Sequence, residues 1–161
     1  MTYSSTMVTQ STTLPESKDP AIPDSIFHTL KEKAIKARNL SYSPYSKFRV
    51  GCTILTDSDE FIVGANVENA SYGGAICAER TAIVKAVTDG HSVFKAIAIS
   101  TDLESCASPC GICRQVIREF SDKELKMPIY MFNADGSKFV RMTVGELLPL
   151  SFGPDDLKSL E

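Results

Sequence analysis

Three cysteines and one glutamate stand out by residue type and spacing. Cys77-Ala78-Glu79 opens one predicted helix, and Pro109-Cys110-Gly111-Ile112-Cys113 opens another. A thiol at a helix N-terminus faces unpaired N–H groups and the positive end of the helix dipole, which favour the thiolate. Two such helix ends at one edge of a sheet would gather three sulfurs around a single ion. Zinc accepts Cys thiolates in tetrahedral geometry, and three protein ligands leave the fourth position for water. A carboxylate two residues from the first ligand is placed to take a proton from that water and return it elsewhere. Three thiolates against Zn²⁺ leave the centre at about −1. Arg80, next to Glu79, is the nearest residue able to draw charge from the sulfurs by donating to them.

Other readings of the same cysteines stay open at this point. Cys106 precedes Cys110 by four residues, so Cys77, Cys106, Cys110 and Cys113 could form a closed, structural Cys₄ site. Cys110-Gly-Ile-Cys113 alone could be a redox dithiol, which would leave Cys77 and Glu79 unused. Cys52 falls on the apolar face of a predicted strand and reads as core. His28 and His91 are remote from the cluster in sequence and read as ordinary surface or core residues.

The elements that must position these groups follow from periodicity and turn chemistry. Residues 1–20 are rich in Ser and Thr and read as a disordered tail ahead of one domain over 21–161. Asp24 is expected to cap a first helix whose apolar stripe is Ile26, Phe27, Leu30, Ala34, Ala37 and Leu40. After the loop from Ser41 to Ser46, the stretch from Phe48 to Ile54 alternates as a half-buried strand. It should form a hairpin with Phe61–Ala65. The Cys77 helix should run to Gly90, burying Ala78, Ala82, Ile83, Ala86 and Val87. A strand over 95–100 follows. The next helix should turn Ile112, Val116, Ile117 and Phe120 inward. Strands over 128–132 and 137–143 follow, then a short helix capped by Thr143. Strands separated by helices give an α/β layered domain.

Composition removes several function classes. The chain has 161 residues with 17 Lys+Arg and 20 Asp+Glu, so it carries no whole-chain basic footprint for nucleic acid. No apolar run approaches the roughly 18 residues that a membrane span needs. No secretory or transit signal is evident. The expectation is a cytoplasmic protein with neither membrane nor nucleic-acid partners. Asp57, Asp59, Glu60 and Glu68 lie near the motifs, and Glu68 would repel a substrate phosphate. A small substrate without a phosphate therefore fits better than a phosphorylated one or RNA.

Cys-x-Glu followed by Pro-Cys-x-x-Cys is a signature of zinc deaminases acting on nucleobases. Further segments extend the likeness. Tyr42-Ser43-Pro44-Tyr45-Ser46-Lys47-Phe48-Arg49-Val50-Gly51, Asn66-Val67-Glu68-Asn69-Ala70-Ser71-Tyr72, Ile76 to Ala82, Ser108 to Gln115, and the ending from Glu146 to Pro154 together resemble the small homotetrameric cytidine deaminases. The resemblance covers about residues 24–156. It implies a mixed five-stranded sheet flanked by helices in a three-layer sandwich, and one zinc per subunit. It also implies hydrolysis of cytidine and deoxycytidine to uridine and deoxyuridine in pyrimidine salvage, and a homotetramer with shared active sites. By the same resemblance Cys77, Cys110 and Cys113 bind zinc and Glu79 moves the proton. Asn66 and Glu68 hold the ribose hydroxyls, Phe48 lies against the nucleoside, and the Ala78 backbone contacts the base. Phe152 stacks on the base from another subunit, and Tyr72 sits where pocket and subunit boundary meet. Two rival functions remain: a deaminase-fold enzyme for another amine substrate, and a non-catalytic zinc module.

Overall fold

The computed structural model describes residues 22–158, so the expected tail over 1–20 lies outside the described residues. In chain order the elements are α1 (Asp24–Ala37), β1 (Val50–Thr56), β2 (Phe61–Ala65), α2 (Ala78–Thr88), β3 (Phe94–Thr101), α3 (Gly111–Glu119), β4 (Pro128–Phe132), β5 (Phe139–Thr143), α4 (Val144–Leu147) and α5 (Pro154–Lys158). The strands form one sheet in the order β2-β1-β3-β4-β5. Only β3 and β4 run parallel; the other neighbours are antiparallel. The expected mixed five-stranded sheet with flanking helices is what the chain adopts.

Two apolar layers sandwich that sheet. On one face Phe27, Leu30 and Ala34 of α1 pack with Leu55, Ala96, Ala98, Tyr130 and Phe132. On the other, Ala78, Ala82, Ile83 and Ala86 of α2 and Ile117 of α3 pack with Cys52, Ile54, Ile97, Ile99 and Met131. The α2 backbone comes directly down on β2, because a Cβ at Gly64 would meet the Ala78 carbonyl oxygen at 2.7 Å.

The register explains where a site can form. Val50 pairs with Thr101, and Gly51 with Ala65. The start of β1 and the ends of β2 and β3 therefore share one edge of the sheet. The chain leaves β2 and β3 at that edge and folds back through α2 and α3. Both helix N-termini, and the residues just before them, are delivered there.

Several local expectations are corrected. Pro23, not Asp24, takes the N-cap position of α1, and no side chain caps it. The chain tightens into a 3₁₀ turn over Arg38–Leu40, which breaks the helical phase and leaves Leu40 65% exposed. The β1 strand is buried on both faces from Gly51 onward, since α1 covers one face and α2 the other. Phe48 precedes that strand. Val87 and Ile112 lie on the open sides of their helices; Ile112 is 64% exposed. Gly90, at φ +96°, follows the α2 C-cap as expected. Thr143 caps α4 in a reciprocal capping box with Glu146.

Candidate active site

The helix ends bring three sulfurs together. Cys77 is the N-cap of α2, Cys110 is the N-cap of α3, and Cys113 lies in the first turn of α3. Their sulfur atoms all fall within 4.8 Å of one another, and Cys77 and Cys110 are 3.9 Å apart. Tetrahedral bonds of about 2.3 Å to zinc require sulfurs roughly 3.8 Å apart, so the trio fits that ion. Cys106 is not in the group, which removes the closed Cys₄ arrangement. Cys106 instead packs beside the core under Asn133 and Val140. Cys77 belongs to the trio, so Cys110 and Cys113 are not an isolated dithiol.

Charge on the trio is matched from nearby. Hydrogen bonding from Cys113, together with Arg80, lowers the Cys77 thiol to about 5. Cys113 shifts the opposite way, because it holds the proton that the Cys77 sulfur accepts. Arg80 Nη2 donates to Cys77 Sγ at 3.9 Å and to the Ala75 carbonyl at 3.2 Å. Its Nε is buried with no hydrogen-bond partner among the described residues. A half-buried guanidinium with a spare, buried donor suits a cluster of thiolates around a cation.

Glu79, one residue into α2, is buried. Burial, and then the Cys77 thiolate, push its carboxyl above the ordinary range. It shares a cavity of about 340 Å³ with Cys77 and Cys110. The remaining wall includes Phe48, Val50, Asn66, Glu68, Ile76, Ile99, Thr101 and Ser108. This volume suits a small polar molecule with a flat ring.

The Asn66/Glu68 end of the cavity is polar and held in place by hydrogen bonds. Asn66 Oδ1 accepts from the Val50 amide at 2.8 Å and from Ser41 Oγ at 2.7 Å, while Nδ2 donates to the Phe48 carbonyl at 2.9 Å. One Asn66 N–H is left over for a ligand. Glu68 accepts from the Tyr45 and Ser46 amides at 2.8 and 3.2 Å and from the Ser46 hydroxyl. The Ser46 hydroxyl bond is the main reason its carboxyl is held below the usual range. Glu68 is therefore an ionised acceptor.

The other expected residues are placed differently. Tyr72 is 80% exposed and borders an adjoining hollow with Tyr45, Ser46, Glu68, Asn69 and Ala75. Ala78 is fully buried and is not part of the cavity wall. Phe152 is 59% exposed and does not line the cavity of its own chain.

Sequence reasoning missed the fasteners. Ser46 was visible only as part of a longer motif, yet it ties Glu68 down and also accepts from the Phe48 amide. Arg114 donates to the Pro109 carbonyl, Ser108 Oγ and the Leu147 carbonyl, fixing the loop that leads to Cys110.

The profile of the cytidine and deoxycytidylate deaminase zinc-binding region matches residues 25–128. The chain belongs to this family. A cytidine deaminase of Sporosarcina psychrophila is 48% identical over 122 residues, spanning 76% of this chain and 88% of that protein. The cytidine deaminase of Halalkalibacterium halodurans is 44% identical over 80% of this chain and 95% of its own length. Among solved structures, the cytidine deaminase of Burkholderia pseudomallei superposes with a TM-score of 0.72 at 39% identity, covering 78% of this chain and 98% of that one. Zinc is the metal of this deaminase family, and the three-sulfur group could hold such an ion.

Proposed function

We propose that this chain hydrolyses cytidine and deoxycytidine to the corresponding uridines, releasing ammonia, with Cys77, Cys110 and Cys113 as the zinc ligands. One observation carries the reading. A buried carboxylate, Glu79, and two of the three gathered sulfurs line the same cavity as the Asn66/Glu68 pair. That is the layout needed to do chemistry on a base while holding its sugar. The named relatives are cytidine deaminases, which supports the same substrate class.

Zinc in a three-thiolate site acts as a Lewis acid and brings the pKa of a water toward neutrality. Glu79 accepts the proton of the attacking water and delivers it to N3 of the pyrimidine as C4 becomes tetrahedral. Glu79 then takes the remaining proton from the new C4 hydroxyl and passes it to the exocyclic nitrogen; C4–O becomes a carbonyl as the C4–N bond breaks, and ammonia leaves. A carboxyl whose affinity for protons is raised by burial is suited to hold that proton between transfers. Arg80 offsets thiolate charge. Glu68 accepts from a ribose hydroxyl, and the free Asn66 N–H donates to one. Phe48 borders the nucleoside.

The assembly is a homotetramer with shared sites. Phe152 and Tyr72 are exposed aromatics that do not line the cavity containing the sulfurs, which supports roles in a neighbouring subunit's pocket and at the boundary. No described helix is long and apolar enough to cross a membrane. The chain serves pyrimidine salvage in the cytoplasm.

The test is the ultraviolet absorbance of cytidine incubated with zinc-loaded protein, with Glu79→Gln alongside. The cytidine band is expected to disappear only with the unmutated chain. The variant should keep its zinc and lose at least about 10³-fold in turnover. Comparable turnover in a zinc-loaded Glu79→Gln would remove the proton-shuttle role. An unchanged band with the unmutated chain would turn the reading to other amine substrates.

A further inference from the structure

The helix α3 has a second task besides carrying two cysteines. Its flank holds residues 151–153, the last part of the stretch 148–153 that forms no strand or helix between α4 and α5. The chain turns at Leu150, which sits at φ +53°, and then runs along α3. Three consecutive residues are fastened there. Ser151 Oγ accepts from Arg118 Nε at 3.2 Å. The Phe152 carbonyl accepts from Gln115 Nε2 at 3.0 Å. Gly153 lies against the Arg118 guanidinium so closely that a Cβ would collide with it. The Gly153 amide then donates to Asp156 Oδ2 at 2.7 Å. Gln115 and Arg118 are three residues apart and so share one face of the helix.

The contrast within residue 152 is the informative point. Its carbonyl is tied to α3, while the residue as a whole is 59% exposed and takes no part in the cavity of its own chain. A large aromatic held by the main chain and left free at the ring is presented to something else. Holding the backbone in advance reduces the ordering cost when the ring docks.

We infer that Gln115 is a positioning residue for Phe152. Its amide sets the backbone from which the ring reaches the cavity of a second copy of this chain. The inference rests on the reading that Phe152 stacks on a base bound by another subunit. Gln115 does not line the cavity of its own chain and is outside the sulfur trio; its hydrogen bond runs to the carbonyl of residue 152, through which it acts. Arg118 and Gly153 fix the flanks of the same segment.

The closing experiment uses zinc-loaded, assembled enzyme and three variants. Gln115→Glu keeps the side-chain shape but sets an acceptor against the Phe152 carbonyl. Phe152→Ala removes the ring, and the third variant combines both. Phe152→Ala is expected to raise KM for cytidine roughly tenfold, the loss of one stacking partner. Gln115→Glu is expected to raise KM roughly fivefold, with kcat, zinc content and assembly unchanged. The double variant should match Phe152→Ala alone, because Gln115 then has nothing to position. A normal KM in Phe152→Ala would overturn the stacking reading itself. A raised KM in Phe152→Ala with a normal KM in Gln115→Glu, or additive effects in the double variant, would overturn the positioning role alone.

Discussion

The two ends of the cavity are built by different means. The sulfur end is assembled from helix termini. Cys77, Glu79, Cys110 and Cys113 lie at the N-cap or in the first turn of α2 and α3, so a regular element fixes each of them. The Asn66/Glu68 end, which we propose as the sugar end, is assembled from irregular chain. Asn66 and Glu68 follow β2 and are held by Ser41, Tyr45, Ser46 and Val50 through hydrogen bonds that span 16 to 25 residues. Helix ends gather ligands cheaply and rigidly, since the sheet edge brings them together anyway. A loop can be shaped around a sugar only if it is tied at many points.

The largest break in this comparison is Cys113→Ala. Cys113 is buried and links the start of α3 to the start of α2. Its loss should drop zinc content from about one per chain to near zero and abolish turnover. It should also lower the melting temperature by several degrees, because metal-binding energy is folding energy. Metal analysis beside a thermal melt reads all three. Retained zinc with normal turnover would show that the sulfur trio is not the metal site.

Glu68→Gln should separate the two ends. The amide keeps the size but removes the charge that accepts from Ser46 and the two backbone amides. KM for cytidine is expected to rise roughly tenfold to a hundredfold, since a buried sugar hydroxyl loses a charged acceptor. Zinc content should stay at the unmutated level. A fall in zinc would mean that the two ends are one cooperative unit. An unchanged KM would take Glu68 out of substrate binding.

The same division decides what could be read in the sequence. Helix-end chemistry is local: a Cys before a helical run, a Glu two residues on and a Pro ahead of Cys-x-x-Cys all stand within a few positions. Loop tethering is nonlocal. Ser46 meets Glu68 across 22 residues, and no periodicity marks that pairing. Burial followed the same rule. The face of α1 was legible up to Ala37 because helical phase persists that far, and Leu40 was misplaced where the 3₁₀ turn shifts the phase. The alternation in β1 suggested one wet face, but a strand inside a three-layer sandwich has none. Ile112 and Val87 are apolar residues on the helices' open sides, a pattern the sequence cannot distinguish from a core stripe. For Tyr72 and Phe152 the resemblance alone assigned roles, because a single chain supplies no local reason for aromatics in exposed turns.

The smallest expected effect concerns a tie behind the sugar end. Asp102, just past β3, accepts from the Arg49 amide, Nε and Nη2, each at 3.0 Å, and from Arg38 Nη1 at 3.4 Å. This anchors residue 49, which stands between Phe48 and Val50 of the cavity wall. Hydrogen bonds from Arg49 are the main cause holding the Asp102 carboxyl below the ordinary range. A carboxyl depressed in the folded state contributes stability above its unfolded pKa of about 3.9, and that contribution is lost as pH falls through the folded value. Asp102→Asn should therefore melt a few degrees below the unmutated chain at pH 7, with zinc content and kcat close to normal. The gap between the two chains should shrink as pH drops below about 4. Both chains release zinc alike in acid, so the difference between their melts isolates the carboxylate. A gap that stays constant from pH 7 to pH 3 would show that Asp102 acts by shape alone. A large loss of turnover would show instead that the Arg49 anchor reaches the chemistry, and that the two ends of the cavity are less separate than their construction suggests.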